Sequence, residues 1–263
     1  MQKPKLKSLS KLKLLVKPLA VLALLVATFA FVHEIPNLQR AWLRNKVSSH
    51  VFEIRGAKNG GGGTGFQVEA PSGTVYIVTN SHVCEHTSKD KNFVLVQKGE
   101  HLMKRLVLEV SEEADLCLIE AWPGMSGLKL GTSLDVGDLA IAIGHPLLGP
   151  TTLTSGEVTS IETVTVLHHV MRNPNDGSCS LPKNEIRKRP IVFMGIFLGN
   201  AYLCLNNEQD ALNTNIVIYP GSSGSPLVNK WGNVVGVMFA SDQRTNWGSA
   251  VNLQHLKDFL SDF

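Results

Sequence analysis

From Val51 onward the chain is built of short runs in which apolar and polar residues alternate, or in which a few apolar residues stand together, each closed by Gly, Pro or polar turn residues. That periodicity predicts β-strands rather than helices. A first set spans Val51 to Ile54, Thr64 to Glu69, Thr74 to Thr79, Phe93 to Gln97, Met103 to Val110 and Leu116 to Ala121, and predicts one antiparallel barrel. A second set spans Leu139 to Ile143, Thr151 to Ile161, Val164 to Val170, Ile191 to Phe197, Ala201 to Leu205, Asn215 to Ile218, Pro226 to Val228, Val234 to Ala240 and Gly248 to Val251. From Leu253 to Leu260 the period changes, because Leu253, Leu256, Phe259 and Leu260 share one helical face. The predicted fold class is therefore all-β, with two β barrels and a C-terminal helix. The stretch His168 to Pro190 breaks the pattern with His-His, Asn-Pro and Asp-Gly, then Lys183, Arg187, Lys188 and Arg189, and reads as a long basic surface loop.

The N-terminus follows a different rule. Lys3, Lys5, Lys7, Lys11, Lys13 and Lys17 precede Leu19 to Val32, an uncharged and almost wholly apolar run that predicts an N-terminal hydrophobic helix. The run is shorter than the roughly 20 residues of a full span unless Leu12 to Val16 joins it. The division expected is a basic segment with a transmembrane anchor or signal sequence over 1–32, a linker over 33–46, and a folded body over 47–263, with barrel 1 at 47–130, barrel 2 at 131–251 and the helix at 252–262. The lysine bias puts the N-terminus in the cytoplasm and the body outside, in the periplasm or at the cell surface. Retention as an anchor is the reading taken; secretion after cleavage near Ala30 is the alternative.

The formal net charge is +3, and the six N-terminal lysines supply +6, so the remainder carries a net −3. An acidic body without a basic stripe interleaved with aromatic residues excludes nucleic acid as a partner. Four cysteines, Cys84, Cys117, Cys179 and Cys204, allow three full pairings. Cys117 alternates with Leu116 and Leu118 and reads as a buried free thiol. Cys179 with Cys204 is the pairing to test first.

The chemistry is carried by a glycine-serine turn, a histidine and an aspartate. Gly221 to Leu227 reads GSSGSPL between two predicted strands. Small residues around Ser223 let the backbone N–H groups of Gly221 and Ser223 converge on one point, as an oxyanion requires. A serine hydroxyl needs a base, and His82, in TNSHVC after an apolar strand, supplies one. The base in turn needs a buried carboxylate, and Asp115 opens the apolar strand of EEADLCLIE. The chain also offers His82, Cys84 and His86 as HxCxH, but without a fourth ligand nearby, so no metal is expected. Gly60 to Gly65 lacks the GK[ST] of a phosphate loop. Ser225 breaks GxSxG, which argues against an α/β-hydrolase.

In the order His82, Asp115, Ser223, these motifs resemble the trypsin-like, chymotrypsin-fold serine peptidases, and most closely their bacterial Do-like (HtrA-type) branch. The resemblance runs over about residues 50 to 262 through TGF at 64–66, TNSHV at 79–83, ADLCLIE at 114–120, IGHPLLGPTTLTSGEVTSI at 143–161, PGSSGSPLVN at 220–229 and VVGVMFA at 234–240. It implies two six-stranded antiparallel barrels, a cleft between them, and a serine endopeptidase acting on polypeptide substrates without a cofactor. It places Val217 and Ile218 at the base of the specificity pocket and Met238, Phe239 and Ala240 on the strand that pairs with substrate. Both pocket residues are apolar, which implies small or medium aliphatic P1 residues, since a buried Lys or Arg would lack a counter-charge. The branch also implies a homo-oligomer by analogy. Ser222 stands where the family usually has Asn or Asp, and Ser225 where a second Gly is usual. No PDZ domain is expected after the helix. Two other readings compete: a catalytically inactive peptide-binding module on the same fold, and a phage or viral processing protease with the same chemistry.

Overall fold

Each predicted strand of the first set forms: β1 (Val51–Arg55), β2 (Gly62–Glu69), β3 (Val75–Thr79), β4 (Phe93–Lys98), β5 (His101–Ser111) and β6 (Leu116–Glu120). They close into an antiparallel barrel in the order β1-β2-β3-β6-β5-β4, with Ile54 of β1 opposite Val96 of β4 at the seam. The alternation in sequence becomes an alternation in space: Val94 and Val96 are fully buried, and with Phe52, Ile54, Ile77 and Ile119 they fill the barrel.

This computed structural model describes residues 38–55, 62–85, 92–168, 185–193, 196–241 and 245–263, and within these treats residues 85, 163–210, 240 and 241 through the backbone only. The apolar run Leu19 to Val32 and the side chains of Cys179 and Cys204 lie outside the description. The chain divides into two compact units, residues 1–45 and 46–263. Helix α1 covers residues 38–48. Among the described residues no helix is long and apolar enough to cross a membrane.

The second barrel is built from β7 (Leu139–Gly144), β8 (Thr152–His168), β10 (Ile196–Val217), β11 (Pro226–Val228), β12 (Val234–Ser241) and β13 (Trp247–Asn252), with β9 (Glu185–Phe193) outside it. The order β13-β12-β11-β7-β8-β10 is closed by pairing of β10 with β13, where Ala211 faces Val251. Its core includes Ala142, Val158, Leu212, Ile216, Leu227 and Val235. Two features depart from the sequence reading. β8 runs unbroken where two strands were expected. β10 joins the expected Ala201 to Leu205 and Asn215 to Ile218, while the expected Ile191 to Phe197 is divided between β9 and β10. The distal parts of β8 and β10 pair, Leu205 opposite Leu167. The expected loop 168–190 is corrected over Glu185 to Pro190, which belong to β9 and, among the described residues, pair only with β10. Arg187, Lys188, Arg189 and Pro190 weaken a strand signal, yet charges and proline are what a sheet edge accommodates. Residues 169–184 lie outside the description.

Helix α2 (Ser81–Glu85) follows β3, and helix α3 (Leu253–Leu260) ends the fold. Asn252 caps α3, its side-chain oxygen accepting from the His255 amide at 3.1 Å, and Leu253, Leu256 and Leu260 bury the apolar stripe. A second correction concerns the cysteines. Cys117 is buried, as its alternation required, but it is not a free thiol: it forms a disulfide with Cys84. Pairing of β3 with β6 sets Thr79 opposite Cys117. The turn into α2 then carries Cys84 over that strand, with a Cα–Cα distance of 6.5 Å that a disulfide spans.

Candidate functional site

Asp115 sits at the turn from β5 into β6 in the left-handed region, φ 51°, a conformation that Asp adopts more readily than most residues. Its carboxylate is 1% exposed and is satisfied on every side. Oδ1 accepts from the Ser81 hydroxyl at 2.8 Å, from the His82 amide at 3.2 Å and from His82 Nδ1 at 3.0 Å, while Oδ2 accepts from Nδ1 at 2.9 Å. The Asn80 side chain donates to the Asp115 carbonyl at 2.9 Å. Sequence neighbours 80, 81 and 82 thus all grip one residue at the entry to β6. A carboxylate accepting at Nδ1 requires the proton there, which leaves the lone pair of a neutral ring on Nε2. The imidazole is part-buried and keeps a solvent-facing side.

Ser223 lies in the turn between β10 and β11. Gly221 has φ 91° and Gly224 φ 83°, both barred to a side chain by contact as well as by backbone angle. A Cβ on Gly221 would stand 2.6 Å from the His145 carbonyl oxygen, and one on Gly224 only 1.9 Å from that of Thr64. The Gly224 amide donates to the Met238 carbonyl at 2.8 Å and the Met238 amide to that of Ser225 at 2.9 Å, which ties the turn to β12. The Leu147 amide donates to the Pro220 carbonyl at 2.6 Å. In a trans peptide the N–H opposes the C=O, so this bond turns the Gly221 N–H to the other side of the chain.

Thr64, in sequence only the first residue of TGF, takes the central position in the fold. Fully buried on β2, it donates its amide to the Ser223 carbonyl at 2.7 Å and its hydroxyl to the Gly221 carbonyl at 2.8 Å. The same hydroxyl accepts from the His145 amide at 2.9 Å, and the Thr79 hydroxyl donates to the Thr64 carbonyl at 2.6 Å. A barrel-1 strand therefore braces the barrel-2 turn on both sides of the peptide that carries Ser223. Gly63, next along β2, lets the elements close up: a Cβ there would lie 2.7 Å from Val83 Cγ2 and 2.8 Å from the Ser223 carbonyl oxygen. The residue after His82 and the backbone of Ser223 thus converge on one glycine. Among the described residues no hydrogen bond joins the Ser223 hydroxyl to His82.

Ser225, the departure flagged at sequence level, is accommodated from across the sheet. A Cβ on Gly144 would fall 1.9 Å from Ser225 Oγ, so the serine occupies space that Gly144 leaves open. The Ser225 hydroxyl is buried with no hydrogen-bond partner. Of the two residues expected at the base of a pocket, Ile218 is buried and packs with Met238 against Gly248, where an added Cβ would meet Met238 Cε at 2.3 Å and Ile218 Cδ1 at 3.1 Å. Val217 instead faces Trp247 across the β10–β13 pair and is 39% exposed. On β12, pairing with β11 reaches only to Val237, and Met238 turns its amide and carbonyl to the Ser223 turn. Phe239 is half-buried, and Ala240 pairs with Ser249 of β13. No group of His, Cys, Asp or Glu side chains that would hold a metal ion occurs among the described residues, and the disulfide removes Cys84 as a thiolate ligand.

Comparison with known proteins agrees with this geometry. The family model described as trypsin-like peptidase domain matches residues 63–237. The probable periplasmic serine endoprotease DegP-like of Chlamydia pneumoniae is 31% identical over 178 residues, which is 66% of this chain and 28% of that protein. The periplasmic serine endoprotease DegP of Salmonella typhimurium is 27% identical over 179 residues, 66% of this chain and 29% of that protein. The chain thus spans less than a third of the length of either relative. Among solved structures, the active form of the Rv3671c protease from M. tuberculosis superposes with a TM-score of 0.60 at 18% identity, covering 86% of each chain. The HtrA-type protease AlgW with a tripeptide superposes with a TM-score of 0.59 at 20% identity, covering 84% of this chain and 62% of that one.

Proposed function

The chain belongs to the trypsin-like peptidases, on the side of their Do-like members, and from that premise we propose that it is a serine endopeptidase working through Ser223, His82 and Asp115. The observation that carries the reading is the buried Asp115 carboxylate closed on His82 Nδ1 at 2.9 Å beside a serine turn braced by Thr64. Ser223 Oγ attacks the scissile carbonyl and passes its proton to His82 Nε2. Asp115 stays ionised, holds the tautomer and stabilises the imidazolium. The N–H groups of Gly221 and Ser223 receive the negative charge that develops on the carbonyl oxygen. His82 then returns the proton to the leaving amine, the acyl group remains on Ser223, and a water deprotonated by His82 releases it. Hydrogen bonds of this kind tighten when substrate arrives, so the ring and the hydroxyl need not be bonded beforehand.

The substrates are exposed or unfolded segments of extracytoplasmic proteins, added to the edge of β12 at Phe239 and Ala240 by strand pairing. The floor of Ile218 and Met238 against Gly248 favours small or medium aliphatic P1 residues. The lysine-rich start and the apolar run Leu19 to Val32 support export of the body across a membrane, with that run as anchor. Labelling with a fluorophosphonate tests the core of the reading. Modification of Ser223 in the wild type, abolished in His82→Ala, is expected; no modification at any pH means a peptide-binding module instead. A cleavage profile that prefers basic P1 residues would overturn the pocket assignment, and N-terminal sequencing of the mature protein decides between anchor and cleaved signal.

A further inference from the structure

Helix α2, which bears His82, has five residues. A helix so short has no stability of its own, because nucleation is unfavourable and too few bonds repay it. Its beginning is fixed by Asn80 and Ser81, both bonded to Asp115. Its middle is fixed by Val83, 1% exposed in the barrel-1 core. Its end is fixed covalently, by Cys84 to Cys117.

That covalent link runs parallel to the hydrogen-bonded one. His82 and Asp115 are 33 residues apart, as are Cys84 and Cys117, each cysteine two positions beyond its partner in the first pair. The receiving end is rigid: Cys117 is fully buried, opposite Thr79 of β3 on one side and Val110 of β5 on the other. The two links therefore lock one rotation, that of α2 about its entry from β3. From this geometry we infer that Cys84 and Cys117 are positioning residues, whose bond sets the His82 imidazole against the Asp115 carboxylate. The inference rests on the roles given to His82 and Asp115 above. Nδ1 lies 3.0 and 2.9 Å from the two carboxylate oxygens, a geometry that small tilts of α2 destroy. Displacement of a catalytic group by about 1 Å costs on the order of 100-fold in rate.

The test compares the full chain with its Cys84→Ala, Cys117→Ala double variant, which removes the bond without leaving either of its two thiols unpaired. The readouts are kcat and KM on a peptide substrate, the downfield proton resonance of His82 Nδ1–H, and thermal unfolding. At temperatures where both proteins are folded, the expected result is a kcat lower by about tenfold or more with KM held within about twofold. The downfield resonance should broaden or vanish. An unchanged kcat and an intact resonance, with only the melting temperature lowered, would reduce the disulfide to a stabilising staple and overturn the inference. Should the double variant not fold, the folded wild type is treated with a phosphine reductant and the freed thiols are alkylated, and the same readouts then decide. Failure of the peptidase reading looks different. In that case the wild type neither labels at Ser223 nor turns over peptide, while the His82 resonance still reports whether the bond positions the ring.

Discussion

Replacing Thr64 by valine removes one oxygen and keeps nearly everything else. Valine matches threonine in volume and β-branching, so β2 and the backbone bonds of residue 64 to Ser223 and Thr79 should persist. What disappears is the hydroxyl that donates to the Gly221 carbonyl at 2.8 Å and accepts from the His145 amide at 2.9 Å. Each buried group left without its partner costs about 1–3 kcal/mol. Gly221 and His145 are only half-buried, so water recovers part of that. A net loss of about 1–3 kcal/mol follows, equivalent to a fall of roughly 2–10 °C in Tm for a domain of this size. The catalytic effect should be of similar size in free energy. Deleting an oxyanion donor outright costs about 100- to 1,000-fold in kcat; here the Gly221 N–H remains but loses the brace on its own residue, so a drop of about 10- to 100-fold is expected. Steady-state kinetics on a peptide substrate, with unfolding followed by circular dichroism, measure both. Thr64→Ser retains both bonds and should restore kcat. Normal kcat in Thr64→Val alongside a lowered Tm would refute the claim that this hydroxyl holds the oxyanion turn, as would failure of serine to rescue.

Asp115→Asn keeps the size of the side chain but replaces an acceptor of three donors with an amide, so kcat should fall by about 10,000-fold with Ser223 still present, as turnover assays at fixed pH would show. Gly144→Ala drives a methyl onto Ser225 Oγ and should cost about 1–3 kcal/mol in denaturant unfolding, most of it recovered when Ser225→Ala is added. Burial, reinforced by the charges of Lys98 and Lys46 and opposed by a hydrogen bond to the Lys46 backbone, lowers the pKa of His50 below its usual 6.5. The unfolded chain then binds the proton more readily, so stability is full above pH 6.5 and declines as pH falls from there toward the folded-state value. Urea unfolding at a series of pH values should show that decline in the wild type and a flatter profile in His50→Gln.

Barrel 1 was legible because most of its strands are apolar-rich runs closed by turn residues, and in β4 the period of two shows as well, with Val94 and Val96 buried between less buried neighbours. β8 and β10 were less so. Their distal halves carry mixed polar and apolar residues that satisfy no single face, and pairing with each other, and of β10 with β9, extends them, a long-range condition that no local window contains. His82 and Asp115 were legible as side chains out of place, a base at the end of an apolar strand and an acid at the start of another. Thr64 was not, because a threonine in a strand is unremarkable and its role comes from three partners far along the chain. The Cys84–Cys117 bond left a faint signal in the equal spacing of the two residue pairs, but alternation with Leu116 and Leu118 is equally well met by a buried thiol.

The seam between the barrels is closed largely by backbone, which leaves little room there for added atoms. Gly63, Gly144, Gly221 and Gly224 each lie where an added Cβ would meet a neighbouring atom at 2.8 Å or less, and those neighbours include carbonyls of Thr64, His145 and Ser223. Flexible side chains at such a seam would yield by changing rotamer; carbonyls fixed in strands and tight turns yield only by moving the chain. Any enlargement therefore displaces the turn of Ser223 relative to β2, and with it the direction of the Gly221 N–H. Ser225 fits this rule because its extra atoms are matched by a side chain missing at Gly144. Substitutions at the four glycines should accordingly lower kcat by more than their cost in stability implies, whereas those in the barrel cores should lower stability first.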